Sequence, residues 1–203
     1  MHDDDHYVTA RDMAKISKAA LENETFRYVA CKPNYYIAPT NKDKHGKELW
    51  NHHKMVKRTM FNYDGVEGGK TGYTTKAGGT LVTFAKRGDQ ELIVVDLCAH
   101  GYELYEDTIK MLNYGFNNYK TIAPFKTMNT VLKDDTYGFL KTGNELSQYK
   151  IPLKHLNDVT VMLEKKQSAS KLTYKCKDNK YIISYDGKQI WFCETLLLLV
   201  QIN

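Results

Sequence analysis

The sequence predicts a mixed α/β region over residues 1–120 and an all-β domain over residues 121–203. Three observations carry this. Leu92-Ile93-Val94-Val95 begins a near-continuous apolar strand, the mark of a sheet covered on both faces, and Leu81–Ala85 is a strand beside it. Tyr105, Ile109, Leu112 and Phe116 recur at helical spacing and form one stripe. Beyond Lys120 no long helical pattern returns. Short strand-like runs follow instead, at 125–132, 138–140, 159–163, 172–176, 181–185 and 189–192, with Asp186-Gly187 as a hairpin turn. That pattern reads as a small β-sandwich.

The elements justify themselves in order. Thr9-x-x-Asp12 is a capping box with Asp in place of Glu, and Met13, Ile16, Ala20 and Leu21 follow it at helical spacing. Asn23 caps a second, short helix through Phe26 and Val29, which Pro33 ends. Asn34–Ala38 is aromatic and β-branched, so it reads as a strand, and Pro39–Lys47 as a polar loop. Adjacent His52 and His53 point apart on any regular element and cannot chelate together. For either one, a general base is weighed against a histidine hydrogen-bonded to backbone, and the second is favoured. Gly65, Gly68 and Gly69 mark Val66–Tyr73 as a strand passing a close-packed site. Arg87-Gly88-Asp89-Gln90 is the turn between the next two strands.

Composition narrows the function. The 203 residues are 42% hydrophobic and 26% charged, with a formal net charge of +5. The lysines are scattered and form no arginine-rich stripe, so nucleic acid is not an expected partner. The mild positive balance suits an anionic wall or membrane surface. The longest apolar run, Leu196–Val200, is too short to span a bilayer. Met1–His6 is polar and acidic, and no secretion signal is expected in it. Cys31, Cys98, Cys176 and Cys193 have no metal-ligand spacing, so neither zinc nor any cofactor is expected. Cys98 is expected in a strand core as a small hydrophobe. Cys176 and Cys193 lie in neighbouring strand-like runs, which leaves a disulfide between them open.

The chemistry centres on residues 65–99. Gly69-Lys70-Thr71 looks like the end of a phosphate-binding loop. That motif needs a Gly five residues before Gly69, where this chain has Asp64, and a helix after it, where Ala77-Gly78-Gly79 and strands follow. Lys70-Thr71-Gly72 on a strand is the alternative. A bare tripeptide is weak, since Lys141-Thr142-Gly143 also occurs. The longer run Asp64-Gly65-Val66-x-Gly68-x-Lys70-Thr71-Gly72-Tyr73-Thr74-x-Lys76-Ala77-Gly78 is specific. It resembles the D-alanyl-D-alanine carboxypeptidases, the low-molecular-mass penicillin-binding proteins. His6-Tyr7-x-Thr9-Ala10-x-Asp12-Met13-Ala14, Pro39-Thr40-Asn41, Asn51-x-His53-Lys54-Met55 and Asn113-Tyr114-Gly115-Phe116 look like further segments of the same family.

The resemblance implies a partial penicillin-binding, β-lactamase-like transpeptidase domain at 1–120 and a β-sandwich domain at 121–203. It implies a serine-type enzyme that removes the terminal D-alanine from peptidoglycan stem peptides through an acyl-enzyme, at the outer face of the bacterial cytoplasmic membrane or in the cell wall. A membrane association is implied by family analogy alone. Stem peptide or β-lactam is the implied ligand. Lys70 would place positive charge against the proton network and the substrate carboxylate, and Thr71 would donate to that carboxylate. Gly72 would let the substrate lie along the strand edge. The Tyr73 N–H would be one of two oxyanion donors.

Departures are equally specific. The family's Ser-x-x-Lys and Ser-x-Asn motifs precede the His6 segment, and this chain has neither before Lys70. Ser147-x-x-Lys150 and Ser168-x-x-Lys171 fit the first pattern in the wrong order and are read as accidents. Leu104 stands where family members often carry Arg, and Asp96 interrupts the apolar strand. The chain as given is therefore expected to be the C-terminal part of such an enzyme and inactive alone, with the missing N-terminal half supplied either by a segment upstream or by a partner chain. The alternative is a non-catalytic peptidoglycan-binding protein. The resemblance also implies that the strand at 91–99 is an uncovered edge that exposes Leu92 or Val94.

Overall fold

A computed structural model describes residues 3–56, 59–122, 130–132, 137–142, 145–146, 151–152, 160–177, 180–190 and 196–202. The elements run α1 (Ala10–Leu21), α2 (Glu24–Ala30), β1 (Asn34–Ile37), β2 (Lys47–Trp50), β3 (Val66–Thr74), β4 (Gly78–Arg87), β5 (Gln90–Ala99) and α3 (Glu103–Asn118). Then come β6 (Tyr119–Ile122), β7 (Thr130–Leu132), β8 (Tyr137–Thr142), β9 (Glu145–Leu146), β10 (Ile151–Pro152) and β11 (Val161–Glu164). Last are β12 (Leu172–Lys177), β13 (Lys180–Tyr185), β14 (Lys188–Ile190) and β15 (Leu196–Ile202). Two compact units result, one of residues 1–117 with 197–203 and one of residues 118–196.

The first unit is built on a four-stranded sheet in the order β15-β5-β4-β3. The β3–β4 and β4–β5 pairs are antiparallel, and cross-strand partners share a face. Leu81 faces Asp96 and Thr83 faces Val94 on one side; Val82 faces Val95 and Phe84 faces Ile93 on the other. Ile93, Val94 and Val95 are fully buried. The expected uncovered edge at 91–99 is therefore corrected: β15 flanks β5 on the side away from β4, and Leu92 and Val94 are buried. A strand more than ninety residues away in sequence satisfies that edge, which no local pattern announces. Exposed apolar side chains lie instead on α2 and on the two-stranded β1–β2 sheet, where Val29, Tyr35, Tyr36 and Trp50 are exposed. β2 falls partly in the segment read as a loop.

Thr9 caps α1 as expected. The Asp12 N–H donates to Thr9 Oγ1 at 3.1 Å, and the Thr9 N–H donates to Asp12 Oδ2 at 3.2 Å. The Thr9 hydroxyl, which donates to Asp12 Oδ2 at 2.6 Å, and then the Thr9 N–H hold the Asp12 carboxyl below its ordinary range. Thr9→Ala should cost about 1 kcal/mol by removing the cap, measured by urea denaturation; an unchanged midpoint would contradict it. The buried face of α1 is Ala10, Ala14, Ser17 and Leu21, whereas Ile16 is exposed. The expected helix forms, but of Met13, Ile16, Ala20 and Leu21 only Leu21 is on its buried face. α1 packs on β5 and β4 with its small side chains turned inward, which lets the helix approach closely. α3 follows its stripe, burying Tyr105, Leu112 and Phe116 together with Leu104, Thr108 and Gly115.

Cys98 is also corrected. Ala99 pairs with Gly79 and Leu97 with Thr80, so Cys98 is the extra residue of a bulge. It adopts φ +65° and is exposed.

In the second unit β6 pairs with β11, β8 lies between β10 and β7 and also pairs with β9, and β13 lies between β12 and β14, all antiparallel. Asp186 (φ +50°) and Gly187 (φ +77°) make the expected turn between β13 and β14. Cys193, and with it the Cys176–Cys193 pairing, lies outside the described residues.

Candidate active site

Lys70, Thr71, Gly72 and Tyr73 all lie on β3, the outer strand of the sheet. No helix follows Lys70, which disposes of the phosphate-loop reading. Lys70 pairs with Val82, Thr71 with Leu81, Gly72 with Thr80 and Tyr73 with Gly79. By the period of two, Lys70 and Gly72 project to one face and Thr71 and Tyr73 to the other. The Lys70 ammonium donates to the carbonyl of its neighbour Thr71 and is exposed. A Cβ at Gly72 would lie 2.5 Å from Thr80 Oγ1, so a side chain there would make the threonine hydroxyl turn aside. Tyr73 is 75% exposed. The outer side of β3 has no strand paired to it among the described residues. Its backbone donors and acceptors, beside a lysine ammonium, form a surface that an extended anionic peptide fits.

His53 is a buried polar group close to Gly69 of this strand. It is fully buried, with Nε2 2.9 Å from Thr83 Oγ1. The Met55 N–H donates to Nδ1 at 3.3 Å, so Nδ1 is an acceptor and the ring proton sits on Nε2, donated to Thr83. Burial lowers its pKa to about 4, against a weaker opposing bond to the Val82 carbonyl. It is neutral at pH 7 and bonded on both ring nitrogens, as expected for a structural histidine. His52 is exposed.

Asp96, on the same sheet face as Thr83, is fully buried, and neither carboxylate oxygen has a hydrogen-bond partner. Burial, with Asp107 and then Glu103 nearby, pushes its pKa up to about 6. Leu104 is buried, and its Cδ1 would lie 2.8 Å from a Cβ on Gly79. It gives the site an apolar wall where a guanidinium was sought. In the second unit Lys171 donates to Asp186 Oδ2 at 3.1 Å, and Ser168 Oγ lies 2.8 Å from Ser170 Oγ. The bond to the Asp186 carboxylate raises the Lys171 pKa, and this ammonium is directed to Asp186. Ser147 and Lys150 lie outside the described residues.

Residues 1–101 match the family described as D-alanyl-D-alanine carboxypeptidase, peptidase S11. The chain is 27% identical over 197 residues to DacF of Bacillus subtilis, covering 87% of this chain and 48% of that protein. It is 32% identical over 121 residues to DacC of Escherichia coli, covering 59% and 28%. Among solved structures, a mutant of the Streptomyces K15 DD-transpeptidase is 28% identical with a TM-score of 0.51, covering 58% of this chain and 45% of that one. Penicillin binding protein 6B of Escherichia coli, 20% identical with a TM-score of 0.52, covers 89% and 47% and shares the fold. The chain thus spans less than half the length of these relatives.

Proposed function

Residues 1–101 belong to the D-alanyl-D-alanine carboxypeptidase family, and from that premise we propose that β3 is the substrate strand of a serine-type D-Ala-D-Ala carboxypeptidase. The observation that carries the reading is the outer strand bearing Lys70, Thr71 and Gly72. A peptidoglycan stem peptide, or a β-lactam in its place, adds along that strand. Lys70 supplies positive charge to the terminal carboxylate and to the proton network, Thr71 donates to the carboxylate, and the Tyr73 N–H stabilises the oxyanion. Hydrolysis proceeds by attack of a serine hydroxyl on the peptide carbonyl, release of D-alanine, and attack of water on the ester. The nucleophile of this reading is a Ser-x-x-Lys serine outside these 203 residues, in the N-terminal half of the family's domain. β15 is a strand of the first unit's sheet, whereas a second domain beginning near residue 120, with its strands in a sandwich arrangement, belongs to this reading. So does a place outside the cytoplasmic membrane or in the wall. Among the described residues no helix is long and apolar enough to cross a membrane.

The second reading is a peptidoglycan-binding protein without catalysis, which buried Leu104 favours. One experiment separates the two. The chain incubated with fluorescent penicillin should show no covalent adduct by mass spectrometry. Ampicillin should still shift the amide resonances of Lys70–Tyr73, and Lys70→Ala should weaken it by about tenfold or more, through loss of a charge-assisted bond. Mixing in a Ser-x-x-Lys half should give an adduct for an enzyme and none for a binding protein. Covalent labelling of Ser147 or Ser168 by the chain alone would overturn the placement of the nucleophile.

A further inference from the structure

β3 is closely packed immediately before Lys70. A Cβ at Gly68 would lie 2.7 Å from Cys31 Sγ and 2.8 Å from the Ala30 carbonyl oxygen, at the end of α2. A Cβ at Gly69, one residue on, would run first into the Val82 carbonyl oxygen of the neighbouring strand and would also lie 2.7 Å from His53 Cδ2 and 2.8 Å from Nε2. Gly68 therefore lets the end of α2 close on the strand, and Gly69 leaves room for both the Val82 carbonyl and the imidazole.

The two jaws are joined. The Asn51 Nδ2 amide donates to the carbonyls of Ala30 at 3.1 Å and Lys32 at 3.0 Å. The His53 N–H donates to Asn51 Oδ1 at 2.9 Å. The Asn51 N–H donates to the Pro33 carbonyl at 2.9 Å. A single asparagine thus ties the end of α2 to the backbone of His53 around the outer strand. The ring is fixed in turn by Met55 and by Thr83, the cross-strand partner of Gly69.

We propose that His53 is a positioning residue: with Asn51 and the end of α2 it clamps Gly68–Gly69 and thereby sets the path of Lys70-Thr71-Gly72. It touches no substrate. It acts by holding Gly69, the residue before Lys70, and so the line of backbone groups offered to a peptide. The binding consequence rests on the reading of β3 as a substrate strand; the clamp itself does not.

The test uses the full chain and three variants. His53→Ala removes the jaw. His53→Gln keeps an N–H donor for Thr83. Thr83→Val removes the acceptor that orients the ring while nearly preserving shape, and it serves if His53→Ala fails to fold. Amide exchange and chemical shifts are read at residues 68–72 and, for comparison, at Ile93–Val95. An acetylated peptide ending in D-alanyl-D-alanine is then titrated. His53→Ala and Thr83→Val should speed exchange at 68–72 by about tenfold while leaving β5 within about twofold, and His53→Gln should restore most of the protection. Peptide affinity should fall and recover in the same order. Equal loss of protection across β3, β4 and β5 would reduce His53 to core packing and overturn the proposal, as would unchanged exchange at 68–72. Failure of the unsubstituted chain to bind the peptide would sink the functional reading, while the exchange data still decide the clamp.

Discussion

Asp96→Val should stabilise the first unit at pH 7 by about 3 kcal/mol, as the following linkage requires. The folded pKa is raised from 3.8 to about 6. Between those values the folded state holds more protons than the unfolded state, so stability falls as pH rises through the window. The penalty is fully present above about pH 6. This is the reverse of a paired carboxylate, and its cause is the burial of two oxygens with no donor. Valine suits the apolar strand and removes the charge. His53 works in the opposite sense. Its folded pKa of about 4 lies below the 6.5 of an ordinary histidine. The unfolded state therefore takes up the proton first, and stability is lost as pH falls from about 6.5 to about 4. In the parent the two slopes largely offset each other. Asp96→Val should uncover the histidine slope and lose stability on acidification. Hydrogen exchange of the Val94 amide between pH 4 and 7 measures this. A gain equal at both pH values would mean that the ionised carboxylate is not the cause.

Gly68→Val should detach α2 while leaving the centre of the sheet intact. α2 buries none of its own residues. It is held by Phe26 against Phe84 at 6.4 Å between ring centroids, by Arg27 to Glu67 at 2.8 Å and Glu91 at 3.3 Å, and by the close approach at Gly68. The atoms a side chain would meet include the Ala30 carbonyl and Cys31 Cα, which are backbone and cannot swing away. Overpacking of this kind costs about 1–3 kcal/mol. The loss should appear as faster exchange in residues 24–31 and weaker binding at Lys70, with β4 and β5 unchanged. Gly88→Asn is the control: its site is open, and asparagine tolerates the φ of +57°. If Gly68→Val leaves α2 protected, the helix is not seated through that glycine.

The resemblance in residues 64–78 placed Lys70, Thr71, Gly72 and Tyr73 on a strand, and the alternation around it placed the β4–β5 hairpin. These are local matters. A capping box needs three intervening bonds' worth of chain, a turn needs Asp186-Gly187, and a helix stripe needs only its own spacing. Residue type and order over a dozen positions therefore determine them. The same holds for the glycines at 68 and 69, whose clustering in a strand announces close approach without saying what approaches.

What approaches was decided in three dimensions. Cys31 and His53 meet adjacent glycines because α2 and the 51–55 segment both pack on one strand. Leu196–Ile202 covers β5 because an unpaired row of backbone groups takes any extended segment that can reach it. α1 turns Ile16 outward because seating on the sheet favours the small residues of its other face. The protonation of His53 and Asp96 is likewise invisible in the sequence. A pKa follows from how much water and which charges remain around a group, and those are set by segments far apart in the chain.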